Sequence, residues 1–203
     1  MMNYNFIAPY YHSLSQLIFL NRQQQAHFLI LKYLKDGDKI LWVGGGAGKF
    51  IAELEKLNLK LEIDYVDFSS KMIELAKKET ITNLKINFIV ADIFDFETDK
   101  KYDVVMTTFL FDHFTQTKAE ELFLRLNKCL SKNGIWFYVD FEENQKGWQK
   151  NLTKLMLRFF RVVIGLDISQ LPKMKQLFMQ HFEIIEQNNY FKKYMISCVF
   201  KKK

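Results

Sequence analysis

The sequence has little cysteine and little proline. Its two cysteines, Cys129 and Cys198, belong to no CxxC pair and no Cys/His cluster. That argues against a disulfide framework or a structural zinc site, so no metal is expected, and it suits a reducing, cytoplasmic setting. Two prolines, no low-complexity tract and no internal repeat leave no sign of a long linker, and 203 residues suit one domain with one core. No stretch approaches the 18 or so uninterrupted apolar residues of a membrane span. Residues 1–13 lack a basic region followed by an apolar run, so no signal peptide is expected. The composition, 49% hydrophobic and 26% charged, is globular. The net charge of +6 is spread over separate lysines, with Lys201–Lys203 read as a solvated tail. Charge alone supports a nucleic-acid partner only weakly.

What is present is an alternation of short apolar runs with segments of helical period, the pattern of a parallel α/β sheet. The strand-like runs are Lys39–Val43, Leu59–Val66, Lys85–Val90, Tyr102–Thr107 and Gly134–Asp140. Helices are predicted at Lys49–Leu57, at Ser69–Lys78 with Ser69 placed to cap, and from about Lys118 to Leu130. Residues 13–34 read as one or two earlier helices. His181–Phe191 and Lys193–Phe200 follow each other with no helix between, so they must pair antiparallel.

Gly44-Gly45-Gly46-Ala47-Gly48 follows the first strand and opens a helix. Glycines there let the backbone close on a ligand, and the helix start beyond offers free N–H groups to an anion. Asp67 ends the second strand about 20 residues on, where a carboxylate can take both hydroxyls of a ribose. Asp92 ends the third strand at the same edge and suits an adenine amino group. The plainer readings are a tight turn without ligand and an aspartate that caps the next helix.

With Ala91-Asp92 after strand three and Tyr102-Asp103-Val104-Val105 at strand four, this pattern resembles the class I methyltransferases that use S-adenosylmethionine (SAM), from about Lys39 to Phe200, within their small-molecule branch. The resemblance implies an α/β, Rossmann-like three-layer αβα sandwich. Its seven-stranded, mostly parallel sheet would have the order 3-2-1-4-5-7-6, with strand seven antiparallel. It implies one domain, with residues 1–35 as an N-terminal helical cap and residues 36–203 as the core. It further implies SAM as cofactor, S-adenosyl-L-homocysteine (SAH) as product, and cofactor contacts at Gly44, Gly45, Gly46, Gly48, Asp67, Phe68, Met72, Asp92, Ile93 and Thr108. One residue departs from the pattern: Trp42 stands where the family usually has an acid that helps hold the ligand's ammonium group.

The acceptor side is expected after strands four and five. His113 is a candidate base, since an imidazole titrates near neutrality, and Asp112 would orient it. Asp140 is expected to point into the same crevice. Tyr10 and Tyr11 resemble a lid segment, or else clasp the domain edge. Along Trp148–Ile164, Lys150, Lys154, Arg158 and Arg161 share one helix face. Trp148, Leu152, Leu155, Met156, Phe159 and Val163 lie opposite. This segment reads as a helix over the sheet edge, or as a lid or membrane-surface helix that admits an apolar acceptor. The expected acceptor is a small apolar or aromatic molecule, with Trp148 among its contacts. A non-catalytic SAM-binding scaffold, a nucleic-acid methyltransferase and an aminopropyltransferase remain alternatives, and the sequence leaves the oligomeric state open.

Overall fold

Strand β1 (Lys39–Val43) is buried at four of its five residues, as a central parallel strand covered on both faces must be. It pairs in parallel with β2 (Glu62–Asp67) and β4 (Tyr102–Thr108). Beyond them lie β3 (Lys85–Val90) and β5 (Leu130–Phe141), also parallel. The hairpin of β6 (Phe182–Tyr190) and β7 (Met195–Lys202) closes the sheet, with β7 antiparallel to both β5 and β6. The order is β3-β2-β1-β4-β5-β7-β6, as the family resemblance implied. The computed structural model describes residues 22–142 and 144–203. Tyr10, Tyr11 and most of the expected cap lie outside that range.

Alternation along β1 decides which layer each side chain joins. Leu41 and Val43 face a core shared with Leu122, Phe123, Trp136 and Phe178. Ile40 and Trp42 face a second core with Leu29, Ile51, Tyr65, Ile73 and Phe137. The first layer is closed by α4 (Gln116–Cys129) and α6 (Lys175–His181), the second by α1 (Arg22–His27) with a 3-10 turn at Phe28–Lys32, by α2 (Ile51–Glu55) and by α3 (Ser70–Ala76). Phenylalanine builds much of this: Phe123 stacks on Trp136 at 5.3 Å and Phe178 on Phe200 at 4.5 Å. No helix among the described residues is long and apolar enough to cross a membrane.

Boundaries moved where a hydrogen bond intervened. Ser69 caps α3 as expected, its side chain accepting the Met72 N–H at 3.2 Å. Helix α4 begins two residues early because Thr115 accepts the Lys118 N–H. Strand β5 starts at Leu130, ahead of Gly134, because Leu130 pairs with Tyr102. The short helix α6 was not anticipated.

Helix α5 spans Trp148–Ile164 as predicted, but its orientation differs. It buries Thr153, Met156, Leu157 and Phe160 on a third cluster with Phe141, Leu166, Tyr194 and Met195. Leu155, Phe159 and Trp148, expected on the packed side, remain exposed. The apolar residues of α5 occupy a wider sector than the domain covers.

Candidate active site

The carboxyl ends of β1, β2, β3 and β4 open onto one cavity of about 1120 Å³. The loop after β1 forms its floor. Gly46 has φ +62°, and a Cβ there would meet nothing within 4 Å, so the space above it is open to a ligand. Gly45 is required for another reason: its Cβ would come within 2.3 Å of the Tyr65 ring. Tyr65, buried in β2, donates its hydroxyl to the Gly46 carbonyl at 2.9 Å and holds the loop from below.

Asp67 ties the next corner. Its Oδ2 accepts the Gly46 N–H at 3.0 Å and its Oδ1 the Ser69 N–H at 2.9 Å. Burial raises its carboxyl pKa above the usual value, and the two N–H donors oppose that rise. A carboxylate has about four lone-pair positions, so each oxygen keeps one for a ligand hydroxyl. Asp92 is exposed on the wall, its Oδ1 accepting the Phe94 N–H at 3.0 Å. Gly44, Phe68, Met72, Ile93 and Thr108 also line the cavity.

Trp42 is 1% exposed, yet it reaches the lining, and its indole N–H donates to Thr108 Oγ1 at 3.4 Å. The usual acidic position is thus filled by a ring packed edge-on to Tyr65 and Phe50. Glu53 is the lining carboxylate nearest the glycine loop along the chain, and Lys56 binds it at 2.7 Å.

Four phenylalanines also line the cavity: Phe28, Phe50, Phe109 and Phe114. Phe109 takes φ +51°, rare for a bulky residue and a common mark of functional sites. Its N–H donates to the Val139 carbonyl at 2.8 Å, and its ring meets Phe141 at 5.3 Å and His27 at 6.2 Å. His27 is a wall residue the sequence reading missed; nothing in its local pattern distinguishes it from other helix residues. Its Nδ1 lies 2.8 Å from the Gln23 carbonyl. A carbonyl only accepts, so Nδ1 carries the proton and Nε2 is the free acceptor. Burial pushes its pKa down to about 4, against the raising effect of the Gln23 bond.

His113 lies on the wall, as expected. Asp112, Asp140 and Trp148 do not. Asp140 is a correction: its Oδ2 accepts the Phe111 N–H at 3.1 Å and its Oδ1 the Phe141 N–H at 2.8 Å. It fastens the turn after β4 to the end of β5. Burial, then the neighbouring Asp112, pushes its carboxyl well above the usual range. Asp112 is buried behind His113, with Oδ1 3.8 Å from His113 Nε2, so it sits beside the candidate base rather than in the cavity. Trp148 packs against Phe191 and Tyr194, both at 5.7 Å, and is not among the residues that line this cavity.

Residues 40–134 match the family model described as a methyltransferase domain. The carboxy-S-adenosyl-L-methionine synthase of Nautilia profundicola is 27% identical over 135 residues, 65% of this chain and 55% of that protein. The polyamine aminopropyltransferase of Methanocaldococcus jannaschii is 33% identical over 107 residues, 47% of this chain and 36% of that protein. The chain therefore spans about half or less of these relatives. Among solved structures, the N-methyltransferase NodS of Bradyrhizobium japonicum in complex with SAH superposes with TM-score 0.64 at 12% identity. That likeness covers 90% of this chain and 86% of that one and concerns the fold.

Proposed function

We propose that this chain is a class I SAM-dependent methyltransferase, a reading the methyltransferase-domain match over residues 40–134 supports, and that it transfers a methyl group from SAM to a small apolar or aromatic acceptor. The observation that carries the reading is the convergence of the Gly44–Gly46 backbone, Asp67 and Asp92 on one cavity that Phe28, Phe50, Phe109 and Phe114 also line. On this reading residues 36–203 are the catalytic core, residues 1–35 cap the cofactor, and two cysteines that form no disulfide, Cys129 and Cys198, suit a reducing cytoplasm.

The residues present fit the cofactor. The open backbone at Gly46 would receive its amino-acid end, Asp67 its ribose hydroxyls, and Asp92 with Ile93 its adenine. When bound, SAM supplies an electrophilic methyl on a sulfonium sulfur. The protein's share is to align the acceptor and exclude water, which Phe28, Phe50, Phe109 and Phe114 do. For a hydroxyl or carbon-acid acceptor a proton must also leave, and His113 takes it. His27, neutral with a free Nε2, orients the acceptor by accepting a hydrogen bond. Trp42 offers no charge to the cofactor's ammonium, which leaves Glu53 as that group's acidic neighbour.

Calorimetry with SAM, SAH, decarboxylated SAM and NAD, followed by an acceptor screen weighted to phenols, quinones and lipids, tests the reading. SAM and SAH are expected to bind and the other two not. A preference for decarboxylated SAM moves the assignment to aminopropyl transfer, the chemistry named for the Methanocaldococcus relative. No binding of any of them sinks the cofactor assignment.

A further inference from the structure

We propose that the outer face of α5 docks onto an anionic phospholipid surface, because exposed apolar side chains and a stripe of cations share that face. The helix has 17 residues and no acidic one. At about 100° per residue it divides into three sectors. Thr153, Met156, Leu157 and Phe160 face the domain. Lys150, Lys154, Arg158 and Arg161 occupy the next sector and are all exposed. The third holds Leu155, 66% exposed, and Val162, 85% exposed, with Trp148 and Phe159 beside them.

A solvated structural helix would carry polar residues in that third sector. An interfacial helix carries apolar residues that enter the acyl boundary, an aromatic ring at headgroup level, and adjoining cations that meet anionic headgroups. Arg161 is partly engaged, donating to the Ile168 carbonyl at 3.2 Å and lying 3.7 Å from Asp167. Lys150, Lys154 and Arg158 therefore supply most of the attraction. Glycines delimit the helix at both ends: Gly147, at φ +51°, precedes it, and Gly165, at φ +72°, caps it, with its N–H donating to the Arg161 carbonyl.

A second copy fits this face poorly. A two-fold interface sets each patch against itself, which would oppose two cationic stripes. A nucleic acid would use the cations but leave Leu155 and Val162 in water. On the inner side the Phe160 ring lies 6.2 Å from the ring of His113, a cavity residue, so the docked helix packs directly on the candidate site. The docking itself is independent of the reaction performed there.

The test is co-sedimentation of the full chain with vesicles of phosphatidylcholine alone or in equal parts with phosphatidylglycerol. Binding is expected to the mixed vesicles, weakened by salt, with a blue shift of tryptophan emission as Trp148 enters the interface. Leu155→Gln with Val162→Gln, and separately Lys150→Gln with Lys154→Gln and Arg158→Gln, are each expected to weaken it roughly tenfold or more. All five positions are exposed, and an unchanged thermal melt checks that each variant folds. Failure to bind the mixed vesicles overturns the proposal, as does binding that survives both sets of changes. Concentration-dependent self-association abolished by Leu155→Gln with Val162→Gln would assign the face to a second copy instead.

Discussion

The Tyr65 hydroxyl donates a 2.9 Å hydrogen bond to the Gly46 carbonyl, while the same ring occupies the space a side chain at residue 45 would need. One β2 residue thus sets both the height and the composition of the glycine loop. Gly45→Ala must displace the ring or the loop, at a cost of about 1–3 kcal/mol, and should lose most SAH affinity. Tyr65→Phe removes only the hydrogen bond and should cost about 1 kcal/mol. Denaturant unfolding separates the two; a Gly45→Ala variant as stable as the parent would contradict this close approach.

Asp67 organises the loop and is assigned the ribose. Asp67→Ala should weaken SAH binding by about 1.5–3 kcal/mol, roughly 10- to 100-fold, with some loss of stability as the Gly46 and Ser69 N–H groups lose their acceptor. Titration calorimetry measures the affinity. Parent-like binding would remove Asp67 from the cofactor site.

Asp140 separates a buried charge from a buried acceptor. Its folded-state pKa lies above that of the unfolded chain, so the folded protein holds the extra proton and this group's contribution to stability declines as pH rises from the unfolded value through the folded one. Asp140→Asn keeps one acceptor oxygen without the charge but turns an NH2 toward the second N–H, and should lose about 1–2 kcal/mol at neutral pH, read from its melting temperature. Asp140→Ala leaves the Phe111 and Phe141 N–H groups buried without their acceptor and should lose about 2–4 kcal/mol. If the asparagine variant is the less stable of the two, the charge matters more than the anchoring.

His27 predicts an acid sensitivity of defined sign. The folded protein holds its pKa at about 4, against about 6.5 for an ordinary imidazole. Between those values the unfolded chain binds a proton that the folded chain does not. Its contribution is therefore full above about pH 6.5 and is lost as pH falls toward 4. Comparing unfolding free energies near pH 5 and near pH 7.5, His27→Gln should show a shallower drop than the parent. Equal drops would mean that His27 titrates normally.

His113→Ala should leave SAH affinity within about twofold while turnover on a hydroxyl or carbon acceptor falls roughly 100-fold or more. Single-turnover rates against pH are the readout, because a merely structural histidine would move affinity and melting temperature together. Undiminished turnover on the true acceptor would mean that His113 is not the base.

The strand runs, the glycine loop, Ser69 as a cap and the span of α5 were legible in the sequence because each depends on neighbours a few residues away, whereas the strand order came only from the family resemblance: a run of apolar residues, a glycine at a forced turn and a serine ahead of a helical period are local signals, and the order of a sheet is not. Asp67 and Asp92 were legible as residues at the carboxyl edge of the sheet, and both line the cavity. Periodicity revealed the apolar width of α5, but only the domain beneath it decided that Met156 and Phe160 would be covered and that Leu155 and Val162 would not. Asp140 likewise ends its strand, yet tertiary packing turned its carboxylate onto the Phe111 and Phe141 N–H groups instead of into the cavity. His27 joined the cavity wall only because tertiary packing sets α1 against β6 and β7 and brings its ring to 6.2 Å from Phe109. Local chain chemistry determined which elements form and where a ligand edge lies; distant elements meeting determined which side chains face the ligand, the core or the solvent.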